Sequence, residues 1–230
     1  MLITVGFVSQ KGGVGKSMLA RALAAVTAQS KIRVKIADLD ARQLTVARWE
    51  ERREENEAGP ALSVQTFTTA SEALLAAGPK EQLLVIDAPA GANKGTLDIA
   101  RQVDLLVQPS GPGIDDLDPA IILFHELVRA GVPRERLVMA LCRVSTLSEE
   151  DAARAYVQTA GYAVLPGSVP ELAAYREAHN RGQAVTEMKH RVPNARTNAL
   201  MDGLLASLAE KARSRVQAGK GQRRKAGRSS

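Results

Sequence analysis

Between an apolar run, Leu2-Ile3-Thr4-Val5-Gly6-Phe7-Val8, and a helical pattern, Met18-Leu19-Ala20-Arg21-Ala22-Leu23-Ala24, stands the stretch Ser9-Gln10-Lys11-Gly12-Gly13-Val14-Gly15-Lys16-Ser17. A strand, a glycine-rich turn and a Lys-Ser pair opening a helix constrain the fold more than anything else in the chain. They form the context of a phosphate-binding loop. Glycines let consecutive backbone N–H groups curl around a phosphate with no Cβ in the way. The helix that starts near Gly15 turns the positive end of its dipole to the same anion. In such a loop Lys16 reaches the β- and γ-phosphates of a nucleoside triphosphate, and the Ser17 hydroxyl ligates Mg²⁺. The nucleotide contacts then run through Gly12, Gly13, Val14, Gly15, Lys16, Ser17 and Met18. A glycine-rich turn that binds nothing is the alternative, and Gly-Lys-Ser at the helix start argues against it.

The usual pattern has a glycine five positions before Gly15, where this chain has Gln10, and it adds a second lysine, Lys11. The run Lys11-Gly12-Gly13-Val14-Gly15-Lys16-Ser17 resembles the deviant P-loop of the ParA/MinD family of ATPases. The resemblance implies that Lys11 crosses a dimer interface and acts on the partner's nucleotide. A further ammonium beside a γ-phosphate suits phosphoryl transfer, which needs charge neutralised there.

Other strand ends carry carboxylates. Ile32 to Ala37 reads as a strand ending at Asp38-Leu39-Asp40, and Leu83-Leu84-Val85-Ile86 as a buried central strand ending at Asp87. In a parallel sheet such ends face the ligand. Asp87 stands where a P-loop ATPase places a carboxylate that organises Mg²⁺. The resemblance implies that Asp38 supports the hydrated Mg²⁺, that Asp40 orients the attacking water and that Asp87-Ala88-Pro89-Ala90-Gly91 forms a second switch. It makes Lys11, Lys16 and Asp40 the catalytic set, adds Lys11 to the nucleotide contacts, and makes Ser17, Asp38 and Asp87 the metal set. A strand-end pair that caps the next helix is the plainer reading of Asp38 and Asp40. Ala41-Arg42-Gln43 departs from the family's Pro-Gln, which leaves the local loop open.

Further on, a helix is expected from Gln43 to Glu57 with Trp49 as a packing residue, an edge strand over Leu62–Phe67, and a short helix over Ser71–Ala77. Strands are expected over Val103–Pro109, Leu137–Val144 and Ala163–Pro166, with a loop from Ser110 to Asp118 and helices over Ile121–Ala130 and Glu149–Ala160. Family members often carry Asn before Arg where this chain has Cys142-Arg143, and a thiol lacks the amide's paired donor and acceptor for adenine. A buried, unreactive cysteine is expected there. The helix Ala173–Ala178 and the turn Gly182-Gln183-Ala184-Val185 extend the resemblance from residue 2 to about 187.

The charge of the chain is concentrated at one end. Of its 31 Lys and Arg, eight follow Glu210 with no acidic residue among them, leaving 23 basic side chains against 25 acidic ones. A helix is expected over Asn198–Val216. The division expected is an ATPase domain over 1–210 and a basic, flexible tail over 211–230. The tail has Val216 as its only sizeable apolar residue, too little to lie in a lipid interface, so no membrane partner is expected. It suits a polyphosphate, through counterion release, or only solubility. Arg176, Arg181, Lys189, Arg191 and Arg196 form a second, loose basic group, DNA-facing or merely solvated. One cysteine excludes a disulfide framework, and a chain that enters its first strand at once leaves no room for a signal peptide. A cytoplasmic protein is expected.

The expected fold is α/β, a doubly wound, mostly parallel sheet with helices on both faces, as in P-loop NTPases. The resemblance implies a short ParA-type partition ATPase using ATP and Mg²⁺, a homodimer when ATP-bound. It would then bind nucleoid DNA without sequence preference through its basic surface and tail. Hydrolysis, slow alone because no in-cis arginine finger stands out, would be stimulated by a centromere-binding adaptor of ParB or ParG type. Two alternatives stay open: an ATPase of this kind that positions a protein cargo, secretion or conjugation machinery, and a nucleotide-dependent DNA-binding protein with incidental hydrolysis.

Overall fold

The computed structural model describes residues 1–40, 44–91, 94–188 and 194–226. Ala41-Arg42-Gln43, Lys189, Arg191 and Arg228 lie outside the described residues, as do the side chains of Lys220, Arg223, Arg224 and Lys225.

In chain order the elements are β1 (Ile3–Ser9), α1 (Lys16–Gln29), β2 (Val34–Asp38), α2 (Thr45–Glu55), β3 (Ser63–Thr66) and α3 (Ala70–Ala76). Then come β4 (Leu83–Ala90), α4 (Lys94–Gln102), β5 (Leu105–Ser110), α5 (Ile114–Arg129), β6 (Leu137–Val144) and α6 (Leu147–Thr159). The chain closes with β7 (Ala163–Val164), β8 (Val169–Pro170), α7 (Ala173–Asn180) and α8 (Asn194–Ala226). The sheet order is β3-β2-β4-β1-β5-β6-β7, with β8 pairing farther along β6. Every described pairing is parallel.

Alternation along the buried strands feeds two cores. Val5, Phe7 and Val85 pack on one side with α1, α2, α7 and α8. Val8, Leu84 and Ile86 pack on the other with α3, α4, α5 and α6. With β1 at the centre, its loop opens between the C-terminal ends of β4 and β5, where parallel sheets bind ligands.

Several elements depart from the sequence reading. Helix α4 was not anticipated, because Lys94 to Gln102 is a single amphipathic stretch following glycines. Helix α5 begins at Ile114 rather than beyond Asp118. Gly111, Pro112 and Gly113 signal a loop, but Asp115 and Asp116 in the first turn suit the helix dipole. Helix α8 continues through Ala226, so residues beyond 210 begin as helix rather than as a flexible tail. Lys211 donates to the Glu135 carbonyl at 2.7 Å and Arg215 to the Leu2 carbonyl at 2.9 Å. Arg215 also pairs with Asp104 at 2.7 Å. Helix α8 thus runs without a break across residue 210.

Candidate nucleotide site

The loop after β1 has the geometry of an anion cradle. Gly13 and Gly15 adopt φ of 73° and 113°. A Cβ on Gly15 would in addition come within 3.0 Å of the Cys142 sulfur. Helix α1 starts at Lys16 with no side-chain cap and no acidic residue in its first turn. Its N-terminal N–H groups are left for a ligand. Beside them is a cleft of about 370 Å³ lined by Gly12, Gly13, Gly15, Lys16, Ser17 and Met18. Val14 does not line it and is buried.

Lys16 is buried, its ammonium donating to Ser9 Oγ at 2.9 Å. Burial lowers its pKa, while Asp87 and Asp40 act the other way. Asp87 is almost fully buried at the end of β4. Burial pushes its carboxyl up to about 7, and a hydrogen bond with Ser17 opposes the rise. Its Oδ1 is buried without a partner. A divalent cation would satisfy this oxygen and hold the acid ionised. Among the described residues no three His, Cys, Asp or Glu side chains form a metal-binding group by themselves. The donors present thus fit Mg²⁺, which takes one or two protein oxygens and completes its shell with phosphates and water.

Asp38, at the end of β2, is fully buried and taken up by backbone. Its Oδ1 accepts from Asp40 N at 3.0 Å, and its Oδ2 from Val46 N at 3.0 Å and Ala47 N at 3.4 Å. It ties the first turn of α2 to the strand end, the capping role weighed from sequence, and its charge helps to raise the pKa of Asp87. Asp40 lines the cleft.

Lys11 does not line its own cleft. Its ammonium donates to the Asp115 carbonyl and to Asp116 Oδ1, the latter at 2.9 Å. Pro119, inside α5, explains the first acceptor. With no N–H to offer, it leaves the carbonyl four residues earlier, that of Asp115, open. Asp116 is shared, because Arg143 pairs with its Oδ2 at 2.7 Å.

The structure adds residues that sequence reasoning did not single out. Arg143, with φ 58°, lines the cleft, whereas Cys142 beside it is fully buried under the P-loop. Burial raises the Cys142 thiol to about 12, which favours the neutral thiol. Arg21, Thr45 and His179 complete the wall. Arg21 lies one helical turn beyond Ser17, on the same face, which is the signal that could have revealed it. Trp49 is indeed packing, wedged between the guanidinium groups of Arg21 and Arg53 at 5.4 and 5.2 Å from its ring centre.

A glycine cradle, a buried lysine and a partnerless carboxylate oxygen at the central strand define a nucleotide-binding P-loop domain. The CobQ/CobB/MinD/ParA nucleotide binding domain profile matches residues 5–185, and the chain belongs to that family. No curated protein sequence matches the chain. Among solved structures it is similar to the MinC:MinD cell division protein complex of Aquifex aeolicus, with a TM-score of 0.70, 15% identity, 89% of this chain and 96% of that one covered. It is similar to MinD of Pyrococcus horikoshii complexed with Mg-ADP, with a TM-score of 0.67, 16% identity, 89% and 96% covered. It is also similar to a plasmid partition protein of Borrelia burgdorferi bound to AMPPNP, with a TM-score of 0.66, 14% identity, 92% and 100% covered.

Proposed function

We propose that the protein is a ParA-type ATPase of DNA segregation that uses ATP and Mg²⁺, dimerises when ATP-bound, and in that state binds DNA without sequence preference. The observation that carries this reading is the pair of lysines in one loop. Lys16 lies in the cleft, and Lys11 lies outside it, on Asp116. That arrangement supports a lysine kept for the phosphates of a partner subunit.

In this reading the glycine loop and Lys16 hold the β- and γ-phosphates. Ser17 and Asp87 hold Mg²⁺, which neutralises phosphate charge when bound. Asp38 backs that site and fixes α2, Asp40 orients the attacking water, and Lys11 reaches the partner's γ-phosphate. Basal turnover is slow, because Arg143 is committed to Asp116 and Arg21 donates to the Thr45 carbonyl at 2.5 Å. A centromere-binding adaptor of ParB or ParG type supplies the stimulation, and hydrolysis returns monomers that leave the nucleoid for the cytoplasm.

Hydrolysis assays on the Asp40→Ala variant test the enzymatic part. The variant is expected to keep ATP-dependent DNA binding and lose turnover. Unchanged turnover would remove Asp40 from the mechanism, and fast hydrolysis by the wild type alone would contradict the dependence on an adaptor.

A further inference from the structure

Three of the basic residues expected from sequence to meet DNA, Arg196, Lys211 and Arg215, are tied into the fold. Arg196 pairs with Glu150 at 2.9 Å, and Arg215 with Asp104 at 2.7 Å. Asp104 precedes β5, Leu2 precedes β1 and Glu135 precedes β6, so Lys211 and Arg215 anchor α8 along the N-terminal edge of the sheet. The nucleotide cleft is at the opposite, C-terminal edge. A charge anchored at the far edge has no direct means of sensing the γ-phosphate.

A second cleft does. It measures about 700 Å³ and is lined by Arg21, Arg48, Arg52 and Arg176, with Thr45, His179 and Asn180. No acidic residue lines it. Arg21, Thr45 and His179 also line the nucleotide cleft, so the two share a wall. Arg21 is nearly fully buried, and its Nε has no partner; nor have the buried Nε of Arg52 and Nε2 of His179. Arg48 and Arg176 are exposed. Two buried guanidinium nitrogens without partners, two exposed arginines and no carboxylate among the lining residues suit phosphate oxygens. A wide, open mouth with exposed arginines suits a polymer of phosphates more than one small anion.

We propose that this cleft, formed by α1, α2 and α7, holds the phosphodiester backbone of duplex DNA and is the nucleotide-sensitive part of the DNA contact. The proposal rests on the partition reading above and locates the DNA surface within it. Its coupling is mechanical. Helix α2 carries Arg48 and Arg52, its first turn hangs from Asp38 beside the metal site, and it is entered through Leu44, whose φ is 48°. A left-handed leucine is strained by roughly 1 kcal/mol or more. The turn that follows α7 meets α2 through Trp49, whose indole N–H donates to the Gln183 carbonyl at 3.3 Å.

The test measures binding of a labelled duplex by anisotropy, across a salt series, with Mg²⁺ plus either ADP or a non-hydrolysable ATP analogue. Neither Arg48 nor Arg176 lines the nucleotide cleft. The Arg48→Gln/Arg176→Gln double variant is expected to lose the preference for the ATP analogue, and its slope of log K against log salt falls by about two. Arg48→Lys/Arg176→Lys, which keeps the charges, retains most of both. A chain ending at Glu210 binds more weakly in both nucleotide states by the same factor. A double variant that keeps the wild-type preference while the shortened chain loses it would overturn the proposal and return the contact to the tail. Binding of inorganic tripolyphosphate lost in the double variant with duplex binding unchanged would also overturn it. Wild-type binding indifferent to nucleotide would instead remove the partition reading itself.

Discussion

Lys11 has two acceptors in its own subunit, and both are products of α5: Asp116, and a carbonyl that Pro119 leaves open. The Lys11 side chain is 44% exposed, so its pairing with Asp116 is an exposed ion pair worth roughly 0.2–1 kcal/mol. Releasing Lys11 thus costs little against a multivalent phosphate. Asp116→Ala should lower the concentration of ATP analogue needed for half-maximal dimerisation by up to about fivefold, read by light scattering. Pro119→Ala, which restores an N–H to the Asp115 carbonyl, should shift it in the same direction; no shift in either variant would free Lys11 from any part in the transition. His179 is a second sensitive residue. Burial, then Arg21 and Arg52, lower its pKa to about 4. A depressed histidine favours the neutral form in the native state, so its contribution is whole above about pH 6.5 and declines as the pH falls toward 4. His179→Gln should show a smaller fall in melting temperature between pH 7 and 4.5 than the wild type; equal falls would show that His179 does not titrate in this way.

At the scale of elements, α2 is the part that joins site and surface. Arg53 is 1% exposed, pairs with Glu187 at 2.6 Å and donates to the Gly182 carbonyl at 2.9 Å. Gly182 lies over it so closely that a Cβ there would sit 2.3 Å from the Arg53 Cα. Breaking a buried pair leaves an uncompensated charge, at about 3–5 kcal/mol. Glu187→Gln should lower stability toward urea by an amount of that order, and a loss under about 1 kcal/mol would show that water reaches Arg53. This clamp explains the Gly182-x-x-Val185 turn, which sequence alone exhibits without saying what it is for. The strands, the P-loop and the carboxylates Asp38 and Asp87 were legible because glycine, apolar runs and strand-end acids act locally. The lock on Lys11 was not legible, because Asp116 is more than a hundred residues away and its loop carries the signals of irregular structure. Nor was the arginine cleft, whose members come from three helices. The reading of Cys142 as buried held; Arg143 beside it is the residue that lines the site.

Over the whole molecule, the sheet separates two edges with different tasks. The glycine loop, Asp38, Asp87 and the arginine cleft lie at the C-terminal edge, and the anchored start of the basic segment lies at the other. Ending the chain at Glu210 removes the Arg215–Asp104 pair, the bonds of Lys211 and Arg215 to the Glu135 and Leu2 carbonyls and the packing of Ala212, so stability in thermal unfolding should fall by roughly 1–3 kcal/mol; no fall would show that these anchors add nothing to the fold. No helix among the described residues is long and apolar enough to cross a membrane. What remains decisive is whether γ-phosphate joins two chains through Lys11. Sedimentation velocity of the wild type and of Lys11→Ala, each with Mg²⁺ and either ADP or a non-hydrolysable ATP analogue, tests this directly. The wild type should sediment as a monomer in ADP and as a dimer in the analogue, and Lys11→Ala as a monomer in both. A wild type that stays monomeric in the analogue, or a Lys11→Ala variant that dimerises as the wild type does, would contradict a lysine acting across the interface.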